Sequence, residues 1–260
     1  MAYLHGARES GPRHGAPWRG FMRNSFLELI ARLPSDCALC QGQAQGGRLC
    51  PGCLADATRS MGSSQPRCKV CALALATGQG CPDCAVRKPA FDRIIAAFDY
   101  APPGDLLIQH FKAGRRFAYA RMLAGMLACQ ARLATPALSR HTILVPVPAS
   151  RASIIKRGFN PAAEVARCLA RQLQLACRPD LLLRVQEGAK QTRLNRAQRA
   201  MNTQILYACP QRLDQAAIAV VDDVLTTGST LHSIALQFRA AGASSVCGLV
   251  LARTPCRQPL

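Results

Sequence analysis

Eight of the fourteen cysteines in this 260-residue chain fall into four CxxC pairs: Cys37-Ala-Leu-Cys40, Cys50-Pro-Gly-Cys53, Cys68-Lys-Val-Cys71 and Cys81-Pro-Asp-Cys84. Nine residues separate the two pairs of each set, and the second set repeats the first at an offset of 31 residues. A CxxC turn aims two thiolates at one point, and two such turns facing across a short hairpin supply the four sulfurs of a tetrahedral Zn²⁺. The shared spacing makes the sequential pairing the simplest: Cys37, Cys40, Cys50 and Cys53 on one zinc, Cys68, Cys71, Cys81 and Cys84 on the other. A crossed arrangement satisfies the same spacing. Disulfides fit poorly with the lack of an export signal, and the clustered three-cysteine spacing of ferredoxins is absent. Four-thiolate sites are closed, so these metals are expected to hold structure and not to catalyse. Cys129, Cys168, Cys177, Cys209, Cys247 and Cys256 are expected as small core residues.

A composition shift near residue 86 ends the cysteine-rich stretch. Beyond it, short apolar runs alternate with helical patterns, which predicts an α/β fold with a parallel sheet flanked by helices. The strand candidates are RIIAAFDY (93–100), TILVPVP (142–148), LLLRV (181–185), AIAVVDD (217–223) and VCGLVLAR (246–253). Asn160 followed by Pro161 reads as a helix start, with Val165, Leu169 and Leu173 on one face. Leu231, Ile234, Ala235 and Phe238 repeat the pattern, with Gly242 as the stop, while GDLLIQHFKAGRR and FAYARMLAGMLACQARL are helical by period. Residues 1–33, rich in Gly, Pro and Arg, read as a weakly ordered basic segment. No apolar run is long enough to span a bilayer and no apolar leader opens the chain, so a soluble, cytoplasmic protein is expected.

The segment IAVVDDVLTTGST (218–230) carries the most chemistry. An apolar strand ending in Asp222 and Asp223 offers two carboxylates at the carboxyl end of a sheet, where ligands sit in open α/β folds. The turn after it leads into a helix whose first N–H groups lack internal partners and favour an anion. Gly228 permits close backbone approach, and Thr226, Thr227, Ser229 and Thr230 add hydroxyl donors. Acids beside an anion site need something else to hold, such as sugar hydroxyls or a Mg²⁺ that bridges hydroxyls and phosphates. The predicted ligand is a sugar with a terminal phosphate.

This arrangement resembles the phosphoribosyl pyrophosphate motif of type I phosphoribosyltransferases. With VPVPASRASIIKRGFN (145–160), QTRLNRAQRAMN (191–202), YAPPGDLLIQHFKAG and the four CxxC pairs, residues 34–253 resemble the ComF family, the competence-type amidophosphoribosyltransferase-like proteins. The resemblance implies a double zinc ribbon over 34–86 and a phosphoribosyltransferase-like domain over 87–260. It implies that Asp222 and Asp223 hold the ribose hydroxyls and that Thr226, Thr227, Gly228, Ser229 and Thr230 cradle the 5′-phosphate. It also implies that Lys156, Arg157 and Gly158 meet pyrophosphate, and that Gln191, Thr192, Arg199 and Asn202 sit on a closing loop. Asp222, Asp223, Lys156 and Arg157 are then the catalytic set, with Mg²⁺ accompanying phosphoribosyl pyrophosphate and pyrophosphate as the leaving group. Pre-placed cations stabilise such a leaving group. Threonine at 226, where the 6-oxopurine salvage branch carries an aspartate, argues against a hypoxanthine or guanine acceptor.

Charge raises a second function class. Residues 86–260 hold 24 basic and nine acidic groups, so most of the net +19 lies outside the cysteine module. Arg115, Arg116, Arg151, Arg193 and Arg196 belong to this surplus and suit a nucleic acid backbone, while 5% aromatics supply little stacking surface. The family resemblance points to uptake of transforming DNA, with single-stranded DNA and a competence helicase or other uptake protein as partners. The alternative to a working transferase is a non-catalytic module that binds a nucleotide sugar or single-stranded DNA.

Overall fold

The computed structural model describes residues 33–113, 118–185 and 206–256. A hairpin of β1 (Pro34–Asp36) and β2 (Gln43–Gln45) comes first, followed by α1 (Pro51–Thr58) and α2 (Pro82–Val86). Then come β3 (Arg93–Asp99), α3 (Gly104–Ala113), α4 (Ala118–Leu133), β4 (Ile143–Pro146), α5 (Arg151–Arg157), α6 (Pro161–Leu173) and β5 (Ala176–Cys177). A short antiparallel pair, β6 (Leu183–Arg184) and β7 (Tyr207–Ala208), precedes β8 (Ala217–Leu225), α7 (Ser229–Ala240) and β9 (Ser245–Arg253).

The central sheet has five strands in the order β3-β9-β8-β4-β5, and every pairing in it is parallel. Parallel strands are covered on both faces, which is why β8 and β9 read as nearly continuous apolar runs. On one face α3, α4 and α6 bury Leu107, Leu127 and Leu169 against Ala219, Val221 and Leu249. On the other, α7 lays Leu231, Ile234 and Phe238 over Ile94, Val220 and Val250. Gly248 makes that second contact feasible: a Cβ there would lie 2.4 Å from Leu231 Cδ2 and 2.5 Å from Ile94 Cδ1. The α6 start follows its sequence signature, with the Asn160 side chain accepting from Ala162 N–H at 3.1 Å and Pro161 in the first turn. The helix after β8 ends before Gly242, whose φ of +98° takes the left-handed path out of the helix.

One expected strand differs. Of residues 181–185 only Leu183 and Arg184 are extended, and they pair with β7 outside the main sheet. The fifth strand is instead β5, set on Ile143 and Leu144. Pro179 opens a 3-10 turn at Pro179–Leu181 that lifts the chain off the sheet, and Leu181 and Leu182 bury themselves in the core rather than extending it.

The cysteine module straddles the β3 edge of the sheet. Cys37, Leu49 and Ala57 join the core on one face, while Cys71, Ala72 and Leu73 join the core on the other. Ile94 N–H donates to Val70 O at 2.8 Å, which occupies backbone capacity that an edge strand would otherwise expose. Arg67 grips Asp99 at the end of β3 with two bonds of 3.0 and 2.6 Å.

Candidate active site and metal centres

The direction in which successive strands are laid down reverses across the middle of the sheet. From β4 the chain crosses through α6 to β5 on one side, and from β8 it crosses through α7 to β9 on the other. A crevice opens between the carboxyl ends of two strands that diverge in this way. β4 stops pairing at Pro146 opposite Val221, with Val147 N–H donating to Val221 O at 2.9 Å. Among the described residues β8 has no strand partner on that side for four more residues, while its β9 side stays paired as far as Leu225 opposite Arg253. Asp222 and Asp223 are the first two residues of that bare stretch. They lie within the strand rather than at its last residues, as the sequence reading had them.

Neighbours on a strand point to opposite faces, so the two acids meet different surroundings. Asp223 forms an ion pair with Lys112 of α3 at 2.9 Å, both side chains being half-buried. Asp222 accepts from the Asp223 backbone N–H at 2.8 Å. Loss of hydration, reinforced by the Asp223 charge, pushes the Asp222 carboxyl up to about 7. On its side lies the base of the β6–β7 hairpin, where Arg184 donates to the Tyr207 hydroxyl at 3.2 Å and stands 5.7 Å from its ring centre. Burial, with the Asp222 charge contributing, raises the Tyr207 phenol. The Arg184 Nε is buried with no hydrogen-bond partner among the described residues.

Thr226 and Thr227 are exposed in the turn that follows β8. Gly228 has a φ of +75°, and α7 begins at Ser229. The Thr227 and Ser229 hydroxyls lie 2.9 Å apart, Thr227 Oγ1 accepts a long bond of 3.5 Å from the Ser229 N–H, and Gly228 at the N-cap has no side chain to offer the rest of the first turn of α7. Its leading N–H groups therefore have no intrahelical acceptor. Across the crevice, the loop after β4 enters α5, capped by Ser150, and leaves at Gly158 with a φ of +81°. Lys156 is exposed and Arg157 half-buried in the last turn of that helix. Asn160 closes the loop on itself by donating to Val147 O at 2.9 Å. The topology thus places the loops carrying Lys156, Arg157 and Gly158 and Thr226 to Thr230 after the carboxyl ends of the adjacent strands β4 and β8, with Asp222 and Asp223 on β8 beyond its last pair with β4. Gln191, Thr192, Arg199 and Asn202 lie outside the described residues, as do Arg115, Arg116, Arg193 and Arg196. Lys112, Arg184, Tyr207 and the buried Arg253 were not singled out from the sequence, because each acts across a distance in chain that no local motif marks.

The cysteines gather sequentially. Cys37, Cys40, Cys50 and Cys53 form one group and Cys68, Cys71, Cys81 and Cys84 the other, and within each all four sulfurs lie within 4.8 Å of one another. The sulfur pairs Cys40–Cys50 at 3.7 Å and Cys68–Cys84 at 3.8 Å match the edge of a ZnS₄ tetrahedron, roughly 3.8 Å for Zn–S bonds of about 2.3 Å. The second CxxC of each group is not a hairpin turn: Cys50 and Cys81 cap α1 and α2, each followed by proline in the first turn. In the first group burial opposes ionisation, yet N–H donors from Cys50, Cys40 and Leu39 pull Cys37 down to about 6. Burial and the neighbouring thiols push Cys53 up to about 12. Four thiols so close can all ionise only around a cation, which is what structural zinc supplies. Of the other six cysteines only Cys247 is buried. Cys168, Cys177 and Cys209 are half-buried and pack against the core, while Cys129 and Cys256 are exposed, so the expected core role fails for those two.

Residues 29–85 match the family described as the double zinc ribbon domain. Over 226 residues, 84% of this chain and 96% of the relative, the sequence is 31% identical to "Competence protein F" of Haemophilus influenzae. The chain belongs to the ComF family. It is likewise 29% identical over 227 residues to "DNA utilization protein YhgH" of Escherichia coli K12, covering 85% of this chain and 98% of that one. "Competence protein ComFC" of Bacillus subtilis is 33% identical over a shorter stretch of 116 residues, 44% of this chain and 46% of the relative. ComF membership thus accounts for both parts of the molecule, the tetracysteine module and the α/β sheet. Among the described residues, no helix is long and apolar enough to cross a membrane.

Proposed function

We propose that this ComF-family chain binds a 5-phosphorylated, pyrophosphate-bearing ribose in the crevice between β4 and β8 and transfers the ribosyl group to an acceptor nucleophile. The supporting observation is the pair of acids on the side of β8 beyond its pairing with β4, next to a helix start whose N-cap is a glycine. In this reading Asp222 and Asp223 accept hydrogen bonds from the ribose 2′ and 3′ hydroxyls. Thr226 to Thr230 and the first N–H groups of α7 receive the 5′-phosphate. Lys156 and Arg157, with Gly158 freeing the loop, meet the pyrophosphate, and Gln191, Thr192, Arg199 and Asn202 complete the enclosure. Transfer breaks the bond from the anomeric carbon to pyrophosphate, which leaves with the electron pair, while the nucleophile bonds to the same carbon. The protein contributes position, charge and exclusion of water. The carboxylates are hard oxygen donors that suit a water-shelled Mg²⁺, which when bound neutralises charge on the departing pyrophosphate.

We further read the protein as cytoplasmic and as acting in DNA uptake, in keeping with relatives named for competence and DNA utilization. The basic excess suits single-stranded DNA, and a competence helicase or another uptake protein is the partner expected. One observation favours the second reading, a binding module without turnover: Lys112 already occupies the Asp223 carboxylate that ribose would need.

Calorimetric titration with phosphoribosyl pyrophosphate and Mg²⁺, followed by a pyrophosphate-release screen over bases and nucleic acids, tests both. The expected result is binding that weakens about 10- to 100-fold in Asp223→Asn, since a hydrogen-bonded charge is lost. Binding without release on any acceptor would select the module, and no binding at all would end both readings.

A further inference from the structure

Arg253 is the largest fully buried side chain, 2% exposed, at the last residue of β9. A buried guanidinium persists only when its donors are matched, and apart from the neighbouring Thr254 carbonyl the partners here come from two places. From the second tetracysteine centre, Cys71 O accepts from Nε at 3.0 Å and Asp83 Oδ2 from Nη2 at 2.7 Å, with the Cys71 sulfur 3.8 Å from Nη2. From the end of β8 and the turn after it, Leu225 O at 3.4 Å and Thr226 O accept from Nη1, which the neighbouring Thr254 O also meets at 2.8 Å. Thr254 N–H in turn donates to Leu225 O at 2.9 Å. Asp83 lies between Cys81 and Cys84 and ligates nothing itself.

The link to Thr226 has a geometric consequence. A peptide unit is planar and trans, so fixing the Thr226 carbonyl toward the guanidinium turns the Thr227 N–H the opposite way, out of the core. Thr227 is exposed, at the head of the turn that leads through Gly228 into α7. Without this anchor the peptide would be free to rotate, and an anion would have to order it on binding.

We propose that Arg253 is a positioning residue for the Thr226 to Thr230 turn, and that Asp83 anchors it from the second metal centre. That centre thereby orients anion donors on the far side of the guanidinium. The proposal rests on reading the turn as the phosphate cradle. It gives the second tetracysteine site a task the first does not share, because no comparable link from Cys37, Cys40, Cys50 or Cys53 to the turn occurs among the described residues.

The full-length protein and the variants Asp83→Asn, Asp83→Glu and Arg253→Lys test this through three readouts: zinc content, amide hydrogen exchange and titration with ribose 5-phosphate. Asp83→Asn touches no zinc ligand and is expected to keep both metals. Exchange at Thr227 to Thr230 should accelerate about tenfold, with the helices on the opposite face unchanged, and ribose 5-phosphate should bind about tenfold more weakly. Asp83→Glu should restore both. Exchange in the turn that stays at the unmodified rate, or acceleration spread evenly over the protein, would overturn the proposal. If the unmodified protein ignores ribose 5-phosphate but the local acceleration appears, the Arg253 anchor stands and the phosphate reading of the turn falls.

Discussion

Asp222 gives up much of its hydration beside a second carboxylate, and that has a sign that can be measured. Its carboxyl is raised to about 7, above the unfolded value of about 4. A group held more tightly protonated in the folded state contributes stability that is complete below the unfolded value and lost as pH rises through the folded one. The ligand-free protein should therefore lose stability between about pH 4 and pH 7 on account of this residue. Asp222→Asn carries no charge at either end. It is expected to match the unmodified protein near pH 4 and to exceed it by about 1–2 kcal/mol at pH 8 in urea melts. A deficit at pH 8 would mean that the ionised carboxylate is held by donors stronger than its desolvation. Asp223 differs in its surroundings, with the Lys112 ammonium 2.9 Å away.

The contact of α7 with the sheet depends on a missing side chain. Gly248 sits between Ile94 and Leu231 with no room for a Cβ, so Gly248→Ala must push α7 outward or rotate both neighbours. Overpacking of this kind costs about 1–3 kcal/mol, which a shifted urea midpoint at unchanged slope would report. The same helix carries the candidate site at its start, so ligand affinity should fall with it. This element also marks how far the sequence was readable. The β8-turn-α7 unit was legible because its signals are local: an apolar run, two acids, a glycine that takes a positive φ, then a helical period. The Asn160–Pro161 start of α6 and the sequential cysteine groups were legible for the same reason. The partners of the acids were not. Lys112 reaches Asp223 across 111 positions of chain, and Asp222 depends on a hairpin base whose two strands are two residues each. LLLRV misled because an apolar run satisfies a buried turn as well as a strand, and only packing decides between them.

The tetracysteine module is woven into both cores of the molecule rather than hung beside them. Cys37 and Ala57 pack with one face of the sheet, and Cys71 and Leu73 with the other. Zinc binding is folding free energy for a site of this type, so stripping the metals should weaken the whole protein and not the ribbons alone. A chelator is expected to lower the melting temperature of a single calorimetric transition. Two separate transitions, the second unmoved by chelator, would show that the sheet stands without the ribbons. The strand order carries a last consequence. β9 is the last of the five main strands to leave the ribosome, yet it lies between β3, the first, and β8. Until it emerges, β3 can attach to its cysteine-bearing flank but has no sheet to join, so a nascent chain stalled before Ser245 carries an apolar, half-paired strand. Such intermediates are the usual prey of chaperones and of aggregation, which makes the arrival of β9, more than any early step, the event that closes this sheet.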